Sequence, residues 1–213
     1  HRIMIVELMG LHAGWLTLGA GLAAGADVIL IPEFPYDMKL VVNAILDRKR
    51  AGRNFSLVAV AENARSQELV DFVERAARLK AQREAEGTQE VDQEVERISS
   101  SYSGETMLLA RRLREETGLE TRITILGSLV RGGTPTAADR LLATQLAEWS
   151  ALMVVNGQFG RMARRLNDQM GSVPLEEVVD RHKVIPPDHA WIRGAYQVGT
   201  CLGVVPPITV PLL

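Results

Sequence analysis

The feature that most constrains the fold is the alternation of short apolar segments with longer helical ones. Four segments have the composition of buried strands, at residues 3–9, 28–31, 55–61 and 121–126. Between them, apolar residues recur at helical spacing, and Gly or Pro marks several of the boundaries. This order predicts an α/β fold, a doubly wound and mostly parallel sheet flanked by helices.

Composition excludes several classes of protein. The formal net charge of −2 provides no basic surface for nucleic acid or for an acidic membrane. Glycines interrupt the longest apolar stretch, residues 13–26, so we expect no membrane segment. The four histidines lack ligand spacing, which predicts no metal site. A single cysteine, Cys201, excludes an intrachain disulfide and fits a reducing compartment, so we expect a cytoplasmic protein.

The chain divides into segments of different character. We expect an α/β lobe formed by residues 1–65 and 119–160. A helical insertion would occupy residues 66–118, and C-terminal helices with a tail would occupy residues 161–213. The insertion is rich in Glu, Arg, Gln and Ala, so its helical face is either solvated or bound to a partner. Its serine-rich part, 99–104, is typical of a flexible joint. The strand-like pattern begins almost at residue 1, which favours the later part of a longer protein.

Two local patterns fall in the last third of the chain. Residues 161–166 have the composition of a short strand. Residues 172–177, SVPLEE, contain a capping-box pattern, which predicts a helix with Pro174 in its first turn.

Polar or glycine-rich groups follow three of the four predicted strands. They are Met9-Gly10, Glu62 and Arg131-Gly132-Gly133. Parallel strands end at one edge of a sheet, so these groups should converge there. A carboxylate accepts hydrogen bonds from hydroxyls, an arginine binds phosphate, and glycines allow close approach, which together suit a phosphorylated polyol. Each also has a plainer interpretation, since Glu62 could cap a helix and Arg131 could pair with Asp139.

Several motifs, in order, resemble the C-terminal half of a 6-phosphofructokinase. They are Val6–Trp15 (VELMGLHAGW), Ala26–Glu33 (ADVILIPE), Val60-Ala61-Glu62 and Thr121–Arg140 (TRITILGSLVRGGTPTAADR). The resemblance runs from Arg2 to about Gly203, and the long helical insertion is similar to the long and pyrophosphate-using branches. It implies a phosphofructokinase-like fold, of which these residues would form the sugar phosphate lobe.

The resemblance implies a glycolytic reaction and its site. Members transfer a phosphoryl group from ATP or pyrophosphate, with Mg²⁺, to the 1-hydroxyl of fructose 6-phosphate. Met9, Gly10, Glu62 and Arg131 would line the sugar phosphate pocket, and Ser128 stands at a further substrate-contacting position. Arg2 and Arg122 would reach the pocket of a neighbouring subunit, giving a homo-oligomer of at least two chains. Glu33 and Arg53 correspond to the region where regulated bacterial members bind a nucleotide effector.

Four residues depart from the family pattern. Leu11, Ser128, Val130 and Asn63 replace the usual Arg, His or Tyr, Gln and Gly respectively. Losing a charged phosphate contact costs about 1.5–3 kcal/mol, or roughly one to two decades of affinity. The donor site and catalytic base belong to the family's earlier half, so we expect no catalytic residue in this segment and no catalysis by it alone.

Three hypotheses follow. The first is a phosphofructokinase subunit seen through its sugar phosphate lobe. The second is a catalytically degenerate paralogue that binds a sugar phosphate or regulates an active partner subunit. The third is an unrelated α/β binding module.

Overall fold

The computed structural model describes residues 2–85 and 104–206. The chain forms two compact units, His1–Val130 with Val184–Leu213, and Arg131–Lys183. The first includes the described part of the predicted helical insertion. The second includes a helix that the sequence assigned to the α/β lobe. Most of the predicted serine-rich joint and the end of the tail lie outside the described residues.

A four-stranded parallel sheet forms the centre of the first unit. Its strands are β1 (Arg2–Leu8), β2 (Val28–Leu30), β3 (Phe55–Ala61) and β4 (Glu120–Ile125). They are ordered β2-β3-β1-β4, and every neighbouring pair is parallel. The prediction of a mostly parallel sheet is confirmed, as are the positions of its four strands to within a residue or so.

Helices cover both faces of this sheet. In the first unit these are α1 (Trp15–Ala23), α2 (Met38–Arg50), α3 (Gln67–Ala85), α4 (Glu105–Thr117) and α6 (Ala190–Gln197), whereas α5 (Ala137–Val155) belongs to the second unit. One buried cluster joins Ile3 and Ile5 to residues of α2 and α4, and another joins Ile29 to residues of α1 and α6. Alternate side chains of the strands therefore point into two separate cores, as a doubly wound sheet requires.

Short signals in the sequence fix where two of these helices begin. Asp37 caps α2, since its carboxylate accepts a hydrogen bond from Lys39 N at 2.8 Å. Before α1, a Cβ on Gly14 would lie 2.4 Å from Ile31 Cβ. Only glycine therefore allows the start of α1 to approach the end of β2 so closely.

The end of the first unit returns to the sheet. After α6, Cys201 N donates to Asp27 O and Cys201 O accepts from Ile29 N, both at 2.9 Å. This short parallel bridge covers the free side of β2. None of the helices in the described ranges is long and apolar enough to cross a bilayer.

The second unit contains α5 and an antiparallel hairpin, β5 (Arg161–Leu166) with β6 (Gln169–Pro174). Strand β5 confirms the prediction for 161–166. The helix predicted from 172–177 is wrong, because 172–174 pair with β5 and only a three-residue 3-10 turn, Leu175–Glu177, follows. Asn167 and Asp168, both with positive φ, make the tight turn that closes the hairpin. Strand pairing thus outweighed the local capping signal.

Candidate functional site

Hydrogen bonds hold the ends of three strands side by side. Glu62 N donates to Leu8 O at 2.9 Å, and Leu126 N donates to Glu7 O at 3.1 Å. The ladder of β1 with β3 and β4 therefore continues past the strands into the loops that follow. As a result, Glu62 lies beside the loop that carries Met9 and Gly10, as predicted from the parallel order.

Gly10 and Asn63 fix the two loops to each other. A Cβ at position 10 would lie 3.0 Å from Ala61 Cβ and 3.2 Å from Ala13 O, so the loop after β1 packs tightly against β3. Across this contact, Asn63 Nδ2 donates to Leu11 O at 2.8 Å, and its Oδ1 accepts from Arg65 Nε at 3.1 Å. Asn63, a departure from the family pattern, thus has a positioning role.

A cavity of about 490 Å³ opens at this edge of the sheet. One wall comes from the strand ends and their loops, and the other from the beginnings of α3 and α4. The lining residues are Glu7, Leu11, Glu62, Asn63, Arg65, Leu69, Val73, Gly104, Glu105, Thr106, Met107 and Ile125. The predicted Glu62 is among them, and the apolar Leu11 lines the wall where the resemblance places an arginine.

The electrostatics of the cavity centre on Glu105, the first residue of α4. Burial raises the pKa of its carboxyl from 4.5 to about 7, and the nearby Arg65 guanidinium only partly offsets this. Burial also raises the pKa of Tyr36 far above its usual range, with the negative charge of Glu105 adding to the effect. A carboxyl that titrates near neutral pH inside a cavity is a common property of functional sites.

An ion pair anchors the two helices that form the outer wall. Arg112 of α4 contacts Glu68 of α3 with Nη1 to Oε2 at 2.6 Å, and its other nitrogen lies 3.6 Å from Glu116. The hydrogen bond from Arg112 to Glu68 raises the pKa of the guanidinium. The ion pair thus links the first turn of α3 to the middle of α4.

Arg2 and Arg122 lie away from this edge. Arg2 begins β1, at the amino edge of the sheet, and Arg122 aligns with Met4. Both pair with the carboxylate of Glu120, with Arg122 Nε at 2.8 Å and Arg2 Nη2 at 3.5 Å. The two guanidinium groups lower the pKa of the Glu120 carboxyl, and Arg122 has the larger effect. A seven-residue strand is about 20 Å long, so the fold does not bring Arg2 to the Glu62 cavity of its own chain.

Ser128 and Arg131 belong to the 3-10 turn after β4, Gly127–Arg131. Both side chains are exposed. Arg131 is the first residue of the second unit, so its role in the Glu62 cavity stays a prediction. The alternative partner, Asp139, is engaged within its own helix, where it completes a capping box with Thr136 that lowers its pKa.

The structure does not bring Glu33 and Arg53 together. Glu33 follows β2 at the carboxyl edge, whereas Arg53 precedes β3 at the amino edge. The Glu33 carboxylate accepts from Gly14 N with both oxygens at 3.1 Å, and from Ile185 N at 2.9 Å. At the amino edge, Asp27 before β2 pairs with Arg48 at 2.8 Å. Glu33 and Arg53 thus lie at opposite edges of the sheet, and their role in binding a nucleotide effector stays a prediction.

Three cavity residues, Glu105, Arg65 and Glu7, were not predicted from the sequence. Glu105 lies in a mixed-charge segment about 40 residues from Glu62, and no motif distinguishes it from the acidic residues around it. Residues 2–85 and 104–206 contain no group of three or more His, Cys, Asp or Glu side chains arranged to hold a metal ion.

Comparison with known proteins gives one consistent result. The family model for phosphofructokinase matches residues 1–154. The ATP-dependent 6-phosphofructokinase of Propionibacterium freudenreichii is 47% identical over 209 residues, covering 95% of this chain and 55% of the relative. The enzyme of the same name from Spirochaeta thermophila is 42% identical over 203 residues, covering 95% of this chain and 51% of that relative. The chain thus spans about half the length of the curated relatives it matches.

Solved structures agree with the sequence comparison. The pyrophosphate-dependent phosphofructokinase from Marinobacter aquaeolei aligns with a TM-score of 0.63 at 19% identity, over 94% of this chain and 44% of its own, and supports the fold. Pichia pastoris phosphofructokinase in the T-state aligns with a TM-score of 0.56 at 31% identity, and the alignment covers 84% of this chain and 17% of the Pichia chain. An unrelated α/β binding module is excluded, because the match covers most of the sequence: this chain belongs to the phosphofructokinase family.

Proposed function

We propose that this chain forms the sugar phosphate-binding part of a 6-phosphofructokinase. The whole protein would transfer a phosphoryl group from ATP or pyrophosphate to the 1-hydroxyl of fructose 6-phosphate. The observation that carries the proposal is the position of Glu62, in a cavity at the carboxyl edge of the sheet, beside Met9-Gly10 and inside the region that matches the family. Relatives with this segment are named as ATP-dependent 6-phosphofructokinases.

Each proposed contact has a physical basis. The Glu62 carboxylate accepts hydrogen bonds from sugar hydroxyls, and Gly10 lets the chain pack closely enough to form the wall. Arg131 and Ser128 would bind the phosphate. Arg2, at the opposite edge, and Arg122, within β4, would reach the cavity of a neighbouring copy, so the working form would be a homo-oligomer of at least two chains. The rest of the whole protein would bind Mg²⁺ and the phosphoryl donor and would contribute the catalytic base. We expect the whole protein to act in the cytoplasm.

The test uses the full-length protein with Mg²⁺, fructose 6-phosphate and either ATP or pyrophosphate. We expect turnover with one of the two donors. The Glu62→Gln variant should bind fructose 6-phosphate roughly ten-fold more weakly, because an ionised acceptor is lost. The matched control is Glu115→Gln, an exposed carboxylate on α4. Absence of both turnover and fructose 6-phosphate binding in the unaltered protein would contradict the proposal.

A second candidate function, the catalytically degenerate paralogue, has its own observation. Leu11 is 56% exposed and lines the cavity at a position where the resemblance expects a phosphate-binding arginine. If this loss disabled the enzyme, the double variant Leu11→Arg with Ser128→His should raise activity or fructose 6-phosphate affinity by roughly 10- to 100-fold. Full activity in the unaltered protein, or no gain in the double variant, would count against the paralogue.

A further inference from the structure

We propose that Glu105 is a specificity-determining residue of the Glu62 cavity, a second carboxyl that couples the binding of an anionic sugar phosphate to the uptake of a proton. The inference rests on the proposed function, since it concerns what the same cavity selects.

Glu105 lines the cavity from a helix, whereas Glu62 lines it from the edge of the sheet. Glu62 enters from the loop after β3, and Glu105 enters from the beginning of α4, so the two carboxyls come from different walls. The helix that carries Glu105 packs its buried residues against the sheet and α2, and Arg112 on the same helix pairs with Glu68 of α3. A ligand that fills the cavity therefore meets both carboxyl groups.

The charges that line the cavity are unbalanced. Three carboxyl groups, those of Glu7, Glu62 and Glu105, face it with one guanidinium, that of Arg65. With all three ionised, the lining would attract hydroxyl groups but repel an anion. A proton on Glu105 removes one negative charge and turns an acceptor-only group into a hydrogen-bond donor. The protonated form is therefore the one suited to a phosphorylated ligand.

The surroundings of Glu105 allow this protonation near neutral pH. Burial raises its pKa to about 7, and Arg65 opposes the rise. Charged or titratable groups that line the cavity with it or interact with those that do include Glu7 on β1, Glu62 after β3, Tyr36 after β2, Glu68 on α3 and Arg112 on α4. Arg112 is already paired with Glu68. The negative charge of an incoming anion would therefore raise the Glu105 pKa further. Binding of the anion above neutral pH would then be accompanied by uptake of a proton.

The experiment measures proton uptake by calorimetry. Fructose 6-phosphate is titrated into the full-length protein at pH 7.5, in two buffers with different ionisation enthalpies, and its dissociation constant is followed from pH 6.5 to 8.5. The unaltered protein should take up more protons than Glu105→Gln. It should also lose several-fold more affinity across this range. Glu115→Gln, on the same helix, should behave like the unaltered protein. The ligand's own phosphate titrates identically with all three proteins, so the difference isolates Glu105.

The results separate this inference from the proposed function. Equal proton uptake and equal pH dependence in the unaltered protein and Glu105→Gln would overturn the role of Glu105 while leaving the proposed function intact. No binding of fructose 6-phosphate at any pH would overturn both. If Glu105→Gln does not fold, carbon-13 NMR of the Glu105 carboxyl in the unaltered protein decides. A pKa that rises on ligand binding supports the inference, and one that does not rise overturns it.

Discussion

The Glu33 carboxylate is predicted to be a structural clamp, and its substitution tests this directly. Its oxygens accept from the Gly14 amide, at the start of α1, and from the Ile185 amide, where the chain re-enters the first unit. Two segments separated by about 170 residues are thereby joined through one side chain. Removing its acceptors should loosen both segments together.

The magnitude follows from the number of donors left without a partner. A buried donor without a partner costs about 1–3 kcal/mol, and hydrogen bonds to a charged acceptor lie toward the upper end. Glu33 is only partly buried, so water can replace some of what is lost. We therefore expect Glu33→Ala to destabilise the protein by about 2–3 kcal/mol. Glu33→Gln, which keeps one oxygen but turns an NH₂ toward the Gly14 amide, should cost about 1 kcal/mol.

The assay combines urea-induced unfolding with hydrogen exchange in the full-length protein. Exchange should accelerate at the Gly14 and Ile185 amides in both variants, more strongly for Glu33→Ala. Glu115→Gln, which changes an exposed carboxylate, provides the control. If both Glu33 variants matched this control in stability and in exchange at the two amides, the clamp would be refuted, and the carboxylate would be available for a ligand instead.

Three further predictions concern local features. Gly14→Ala places a methyl group 2.4 Å from Ile31 Cβ and should destabilise the first unit by about 1–3 kcal/mol in urea unfolding; unchanged stability would contradict the close approach. Because the Glu105 pKa is raised from 4.5 to about 7, the folded state holds its proton more tightly, so stability should fall as pH rises from about 4.5 to 7. After allowance for solvent screening the loss is about 1–2 kcal/mol, and Glu105→Gln should abolish it, as checked by unfolding at pH 5 and 8. Thr136→Ala removes the capping box of α5 and should cost about 1 kcal/mol of stability of the second unit, with Thr144→Ala, inside the same helix, as the comparison in thermal melting.

The order of elements could be predicted because its signals are local. The strands needed only short apolar runs, and Gly or Pro at several boundaries separated them from the helical segments. The failure at 172–177 shows the limit of such signals. The capping-box pattern there is real in the sequence, but the partner strand β5 and the turn at Asn167-Asp168 decided the conformation.

The sequence by itself determined the parallel sheet and the convergence of Met9-Gly10 with Glu62, because parallel strands necessarily end at one edge. The family motifs were also readable without coordinates, since they are contiguous. Tertiary structure alone decided the remainder. Glu105 lines the cavity because α4 packs its buried residues against the sheet and α2, and Glu33 binds Gly14 and Ile185 because distant segments meet beside it. Burial and charge at such places depend on long-range packing, which no local pattern encodes.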